Sequence, residues 1–246
     1  MHPPETRRRA LRMVEAGDSL RSISLALGVS RAAIREWVAR GPSSLEAGCP
    51  LPLEPARYDA YSALLGYYLG DGCLGRNRRT WSLRVSCDET YPGIVEDVAS
   101  CMRGVRQGCC VGFVPAPGVT VVQAYWQHWP CLFPQHGPGR KHERTMPMEA
   151  WQWEIVEAHP GDFLRGLFHS DGARVRNWAT RRVAGEVKRY EYPRWQFVNR
   201  SEQILGWCEQ ALDLAGVPWR RSNRWTVSVS RREAVARLDG LIGLKQ

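Results

Sequence analysis

Leu64-Leu-Gly-Tyr-Tyr-Leu-Gly-Asp-Gly72 and Leu164-Arg-Gly-Leu-Phe-His-Ser-Asp-Gly172 decide how this chain reads. Both strings carry small residues at their third and seventh positions, Asp at the eighth and Gly at the ninth, and each closes an apolar run with helical spacing. Gly66 and Gly70 lie four residues apart, as do Gly166 and Ser170, so each pair marks one helical face on which two helices can touch backbone to backbone. Gly72 and Gly172 are expected to stop the helices. If the two copies pack about a pseudo-twofold axis, Asp71 and Asp171 meet at the end of the pair. Two carboxylates that close repel unless cations share them, which is the arrangement of a divalent-metal site for phosphodiester chemistry.

Outward from each string the copies stay parallel. Trp81-Ser-Leu-Arg-Val85 and Trp195-Gln-Phe-Val198 alternate as strands. Each precedes an expected helix, Tyr91 to Met102 and Glu202 to Leu214, ending at Gly104-Val105 and Gly216-Val217. Arg224-Trp-Thr-Val-Ser-Val-Ser230 has a clean period of two, with Trp225, Val227 and Val229 inward and Arg224, Thr226, Ser228 and Ser230 outward.

The two strings resemble the LAGLIDADG motif of homing endonucleases in their single-chain, two-motif form, over roughly residues 58–246. The sixth position departs from the family's frequent Asp, being Leu69 and His169. The resemblance implies an α+β fold of two pseudo-twofold-related αββαββα repeats, 58–158 and 159–246, whose strands form a saddle-shaped sheet surface over double-stranded DNA. It implies that Asp71 and Asp171, with Gly70 and Ser170 beside them, hold Mg²⁺, for which Mn²⁺ or Ca²⁺ can substitute. It implies DNA contacts from Ser82, Arg84, Arg174, Arg176, Arg194, Gln196, Arg224, Thr226 and Ser228. The family also places a lysine after the last helix of each repeat, and Lys141 and Lys245 fall 70 and 74 residues after the two acids. Only three lysines stand among 34 cationic residues, so that coincidence points to chemistry. His169 reads as a core histidine or a group behind the acids, and Lys188 has no assigned role.

Ahead of this part, residues 1–41 read as three short helices. Leu20-Arg-Ser-Ile-Ser-Leu-Ala-Leu-Gly-Val-Ser-Arg-Ala-Ala-Ile-Arg-Glu-Trp37 resembles a helix-turn-helix of the transposase and resolvase kind. Gly28 supplies the turn, Ile23, Val29, Ile34 and Trp37 a small core, and Ser30, Arg31, Arg35 and Arg40 an exposed face for DNA. Residues 42–57, rich in Pro, Ser and Gly, read as a linker.

A formal net charge of +9 over 246 residues, with 43% hydrophobic and 24% charged residues, excludes fibrous and wholly disordered classes and makes nucleic acid the default macromolecular partner. Five prolines interrupt the longest uncharged stretch, Gln107–Gly139, so no spanning helix is expected. No apolar run follows Arg7-Arg8-Arg9 as in a signal peptide. Eight cysteines without a C-x-x-C pair read as buried thiols. The expectation is a cytoplasmic, nucleoid-associated monomer that cuts DNA at a specific site with divalent metal. The alternative is a non-cleaving, sequence-specific DNA-binding regulator or phage-conflict protein on the same scaffold. Asp71→Asn and Asp171→Asn separate the two.

Overall fold

A computed structural model describes residues 4–40, 54–183 and 185–245, in two compact units, Met1–Leu53 and Glu54–Gln246. In the first, helices α1 (Pro4–Glu15), α2 (Leu20–Leu27) and α3 (Arg31–Arg40) enclose Ala10, Ile23, Val29 and Ile34, with Trp37 packed against them. Gly28 sits at φ 63° and its N–H closes α2 onto the Ser24 carbonyl, a left-handed cap that a side chain would strain. The Ser19 hydroxyl accepts from the Ser22 N–H and that of Ser30 from the Ala33 N–H, so both following helices carry serine N-caps. The expected linker lies outside the described residues as far as Leu53, as does the side chain of Arg40.

The second unit begins with α4 (Tyr58–Leu69), whose residues from Ala60 to Leu69 are all buried. A helix apolar all round belongs at the centre of a fold, and α4 is that centre. It leads into β1 (Gly72–Arg76), β2 (Trp81–Asp88), α5 (Pro92–Val105), β3 (Val111–Ala116), β4 (Val119–Trp126) and the short α6 (Trp129–Leu132). After a 3-10 turn at Lys141–Glu143 and helix α7 (Ala150–Ala158), the pattern recurs. It runs α8 (Pro160–Asp171), β5 (Gly172–Val183), β6 (Glu186–Val198), α9 (Glu202–Leu214), β7 (Arg220–Asn223), β8 (Thr226–Val229) and α10 (Arg232–Ile242). Each half is αββαββα, with α6 in the place of α10. Helix α7 is an addition between them.

Both sheets are antiparallel and share one topology, β1-β2-β4-β3 and β5-β6-β8-β7. Residues directly opposed in such a ladder share a face. In the first sheet Leu83 opposes Ala124 and Val85 opposes Val122; in the second Trp195 opposes Val229 and Phe197 opposes Val227, and all eight are buried. These faces form the core with the helices. The opposite faces carry Arg84 and Gln123 on one sheet and Arg194, Gln196 and Ser228 on the other.

Gly172 stops α8 as expected, its N–H on the Phe168 carbonyl and its backbone extended at φ −93° and ψ 154°, whereas α4 stops earlier than expected, at Gly70. Glycine is needed after each acid because the chain doubles back on its helix: a Cβ on Gly72 would lie 2.4 Å from the Tyr68 Cα, and one on Gly172 2.5 Å from the Phe168 oxygen.

Candidate functional site

The helix pair comes first, because it positions everything else. A Cβ on Gly166 would stand 2.1 Å from the Ala63 oxygen and 2.9 Å from the Gly66 Cα; one on Gly66 would stand 2.4 Å from the Phe163 oxygen. Helices α4 and α8 thus cross with their backbones in contact at these two glycines. Four residues on, a Cβ on Gly70 would meet Ser170 Oγ at 2.1 Å and lie 3.4 Å from Asp171 Oδ2, so the crossing carries the two motif ends together. Ser170 keeps its hydroxyl within its own helix, donating to the Gly166 and Leu167 carbonyls at 2.9 Å each.

Asp71 and Asp171 converge where both helices present their last carbonyls, the negative ends of the helix dipoles. The Asp171 carboxyl is pushed up to about 6, first by burial and then by the charge of Asp71; Asp71 is also raised by burial, and Lys141 and Lys245 pull both down. The two lysines stand in parallel roles. Lys141 Nζ donates to the carbonyls of Tyr68, Leu69 (3.1 Å) and Gly70 (2.9 Å) at the end of α4. Lys245 Nζ lies 3.4 Å from the Ser170 oxygen at the end of α8. Burial lowers both, Lys141 to about 8, while the two aspartates oppose that fall.

Asn199, which the sequence reading missed, donates from Nδ2 to Asp171 Oδ2 at 2.7 Å, and its own Oδ1 accepts from the Ser201 N–H. Gly72 opposes Val85 and Gly172 opposes Phe197, so the residue two further along each strand is Cys87 in one half and Asn199 in the other. Cys87 is buried, its thiol pushed up to about 12 by burial and by Asp71. A cavity of about 100 Å³ beside Asp71 is lined by Tyr67, Ser86, Cys87, His169 and Lys245 among others. His169 Nδ1 lies 3.1 Å from the Tyr67 hydroxyl, which donates to Asp97 Oδ2, and its Nε2 lies 3.4 Å from the Gly243 oxygen.

The residues present fit a divalent ion. Two neighbouring carboxylates, the charge of Asp71 raising the Asp171 carboxyl, make with the Gly70 and Ser170 carbonyls a hard oxygen donor set. Among the described residues no group of three or more His, Cys, Asp or Glu is assembled for a metal.

Ladder register changes the expected sheet face. Arg84 is exposed on the open face opposite Cys73 and Gln123, with Ser82 beside it. Gln196 and Arg194 share the equivalent face of the second sheet. Arg174 and Arg176 do not: Arg174 opposes Trp195 and Arg176 opposes Pro193, which places both on the helix side. There Arg174 Nε and Nη2 hold both oxygens of Asp239 on α10 at 3.0 and 2.9 Å, and Trp195 Nε1 donates to the same carboxylate. Thr226, Ser228 and Ser82 are on the open face yet buried. β8 runs between β6 and β7, and the Arg194 guanidinium lies across it, donating to Ser228 Oγ at 2.6 Å. Ser82 is turned onto the Gly75 oxygen. Arg224 sits in the turn before β8, over the Trp225 ring and 3.7 Å from Glu202. Arg220, opposite Ser228, is an exposed open-face cation that the sequence reading passed over. In the first unit Ser30, Arg31 and Arg35 are exposed.

No family model matches the chain, and no curated protein matches it in sequence. In structure it resembles LAGLIDADG proteins. The homing endonuclease I-DmoI in complex with DNA and Mn is 12% identical, the match spanning 77% of this chain and 100% of that one at a TM-score of 0.47. The N-terminal LAGLIDADG domain of DUF199/WhiA is 13% identical over 80% of this chain and 86% of that one, also at 0.47. The LAGLIDADG meganuclease I-AabMI bound to uncleaved DNA is 11% identical over 74% and 82%, at 0.45.

Proposed function

We propose that residues 58–246 form a divalent-metal-dependent endonuclease that hydrolyses phosphodiester bonds of double-stranded DNA at a specific site, acting as a monomer. The observation that carries this reading is the meeting of Asp71 and Asp171 at the crossing of α4 and α8, with an ammonium on the carbonyls behind each. In this reading Asp71 and Asp171, with the Gly70 and Ser170 carbonyls, hold Mg²⁺, which supplies charge neutralisation and an activated water when bound. Lys141 and Lys245 stabilise negative charge on the attacked phosphate. Asn199 keeps one Asp171 oxygen fixed in direction. Arg84, Gln196, Arg194 and Arg220 face the duplex from the sheets. Residues 1–41 add a helix-turn-helix contact through Ser30, Arg31 and Arg35, with 42–57 as the linker.

A second reading, a DNA-binding protein that does not cut, draws support from the lysines. Their ammoniums already lie on the Gly70 and Ser170 carbonyls expected to ligate metal, and charge neutralised in that way leaves less demand for an ion. The deciding experiment incubates the full chain with a randomised duplex library in Mg²⁺ and sequences the cut ends. Cleavage at one recurrent sequence, lost in Asp71→Asn and Asp171→Asn while duplex binding survives, supports the nuclease. Duplex binding without cutting by the intact protein supports the second reading, and absence of duplex binding overturns both.

A further inference from the structure

Lys141 stands in the stretch between α6 and α7, from Phe133 to Glu149, whose regular structure is the 3-10 turn Lys141–Glu143. Such a loop is placed by what its ends and sides are tied to. Its base is tied within the first repeat. Gln135 Nε2 donates to the Pro147 oxygen at 2.8 Å, which joins the two ends as in an Ω-loop, and to Gln152 Oε1 at 2.6 Å. Gln152 Nε2 in turn donates to the Tyr61 hydroxyl on α4 at 2.6 Å, and both glutamines are fully buried. Arg144 Nη1 donates to the Gln135 oxygen at 2.5 Å and folds the loop back on its base.

Its far side is tied to the second repeat. Gln203, in the first turn of α9, accepts from the Met146 N–H on Oε1 and donates to the Met146 oxygen from Nε2, each at 2.9 Å. A primary amide, with donor and acceptor side by side, takes both main-chain groups of one residue in this way. Met146 is buried, so water does not replace those bonds at low cost. The turn that leads to Gln203 also holds a carboxylate. Asn199 bonds Asp171, and Ser201 caps α9 by accepting from the Ile204 N–H. Asn199–Gln203 therefore touches the Asp171 carboxylate at one end and the Lys141 loop at the other.

The arrangement crosses the halves twice. Of the two carboxylates, Asp171 acts more strongly on the Lys141 ammonium, and Asp71 on that of Lys245. Gln203 lies four residues beyond Asn199; four beyond Cys87, at the same station of the first repeat, stands Tyr91. The Lys245 ammonium lies 5.8 Å from the Tyr91 ring centroid, a cation–π contact. Each lysine is thus met from the opposite repeat at the same point of the chain, firmly through Gln203 and loosely through Tyr91.

We propose that Gln203 is a positioning residue: by clasping Met146 it keeps the Lys141 ammonium of the first repeat opposite the Asp171 carboxylate of the second. Resting on the endonuclease reading above, this makes one reacting centre the joint product of both repeats. The amide itself acts on neither metal nor phosphate; it acts through the loop.

With three lysines in the chain, acylation by the N-hydroxysuccinimide ester of acetic acid, read by peptide mass spectrometry, follows Lys141, Lys188 and Lys245 separately. Gln203→Met in the full chain keeps the side-chain length and loses both bonds. Acylation of Lys141 then quickens about tenfold, while Lys188 and Lys245 keep their rates. Gln203→Glu retains the acceptor for the Met146 N–H and falls between the two; should Gln203→Met not fold, the ratio of Lys141 to Lys245 rates in Gln203→Glu decides in its place. On the duplex that the parent cuts, Gln203→Met lowers kcat about tenfold and leaves KM unchanged. Quickening of Lys141 and Lys245 by the same factor shows a loss of general stability and overturns the positioning role. An unchanged Lys141 rate in both variants overturns it as well and leaves the endonuclease reading standing. Failure of the parent to cut any duplex in Mg²⁺ overturns that reading itself, and with it any share of Gln203 in a reaction.

Discussion

Gly166→Ala tests the helix crossing on which the site depends. The added methyl would lie 2.1 Å from the Ala63 oxygen, 2.7 Å from the Tyr67 nitrogen and 2.9 Å from the Gly66 Cα, all backbone of the facing helix. Carbon–oxygen contacts settle near ~3.3 Å, so α4 and α8 must part by about 1 Å. No side chain at this point can swing away to absorb the shift. Overpacking of this kind costs about 1–3 kcal/mol, and rigid backbone on both sides puts it near the top of that range. Alanine returns about 1 kcal/mol through its higher helix propensity, for a net loss of roughly 2 kcal/mol. For a chain of this size that lowers the thermal midpoint by about 4–8 °C. Gly206→Ala in α9 is the control, because a Cβ there meets nothing within 4 Å. It keeps the propensity gain of about 0.5–1 kcal/mol and raises the midpoint. Calorimetry of the full chain reads both, and Ca²⁺ titration of the Gly166→Ala protein shows weakened binding because the carboxylates move apart with the helices. If Gly166→Ala is as stable as the parent, or both glycine substitutions shift the midpoint upward, the close crossing is wrong.

Three further outcomes follow from the same geometry. The Asp171 carboxyl, raised from 3.8 to about 6, binds its proton more tightly folded than unfolded, so its contribution to stability is present below pH 4 and lost as pH rises through 6. Asp171→Asn flattens that decline in urea midpoints measured from pH 4 to 7, and a decline that persists in the variant contradicts the raised carboxyl. Lys141→Met strands the carbonyls at the end of α4 and lowers stability by about 1–3 kcal/mol, whereas Lys245→Met, losing one long contact, costs under about 1 kcal/mol; equal losses in denaturant titrations would show the two caps to be equivalent. Arg174→Ala costs about 1 kcal/mol by leaving Asp239 without its bidentate partner and does not change the salt slope of duplex binding; a weakened duplex complex would return Arg174 to the DNA face.

What the sequence made legible was the part governed by short-range spacing. Gly66 and Gly166 declare a backbone contact because nothing else explains small residues four apart in a buried apolar run. The lysines stand out because arginine fills nearly every other cationic position. The sequence was silent where the answer depends on register between distant segments. Arg174 alternates correctly with Ala173 and Val175, but which set faces the helices is settled only by Gly172 lying opposite Phe197. Ser228 reads as an outward hydroxyl until Arg194, 34 residues away, is seen lying over it. Asn199 carries no local signal, since its meeting with Asp171 is made by the strand returning along β5 to the helix end.

The two acids are not equivalent in their surroundings. The repeated topology places Cys87 and Asn199 at the same station beside Asp71 and Asp171. The amide at that station donates to its carboxylate, and the thiol, buried and protonated, does not. Lys141 is held by three carbonyls within a folded turn, whereas Lys245 hangs from one near the end of the chain. The half with the anchored lysine has the unanchored aspartate, and the half with the anchored aspartate has the loosely held lysine. Each half therefore fixes a different member of its carboxylate and ammonium pair, and symmetry of fold coexists with asymmetry of charge placement.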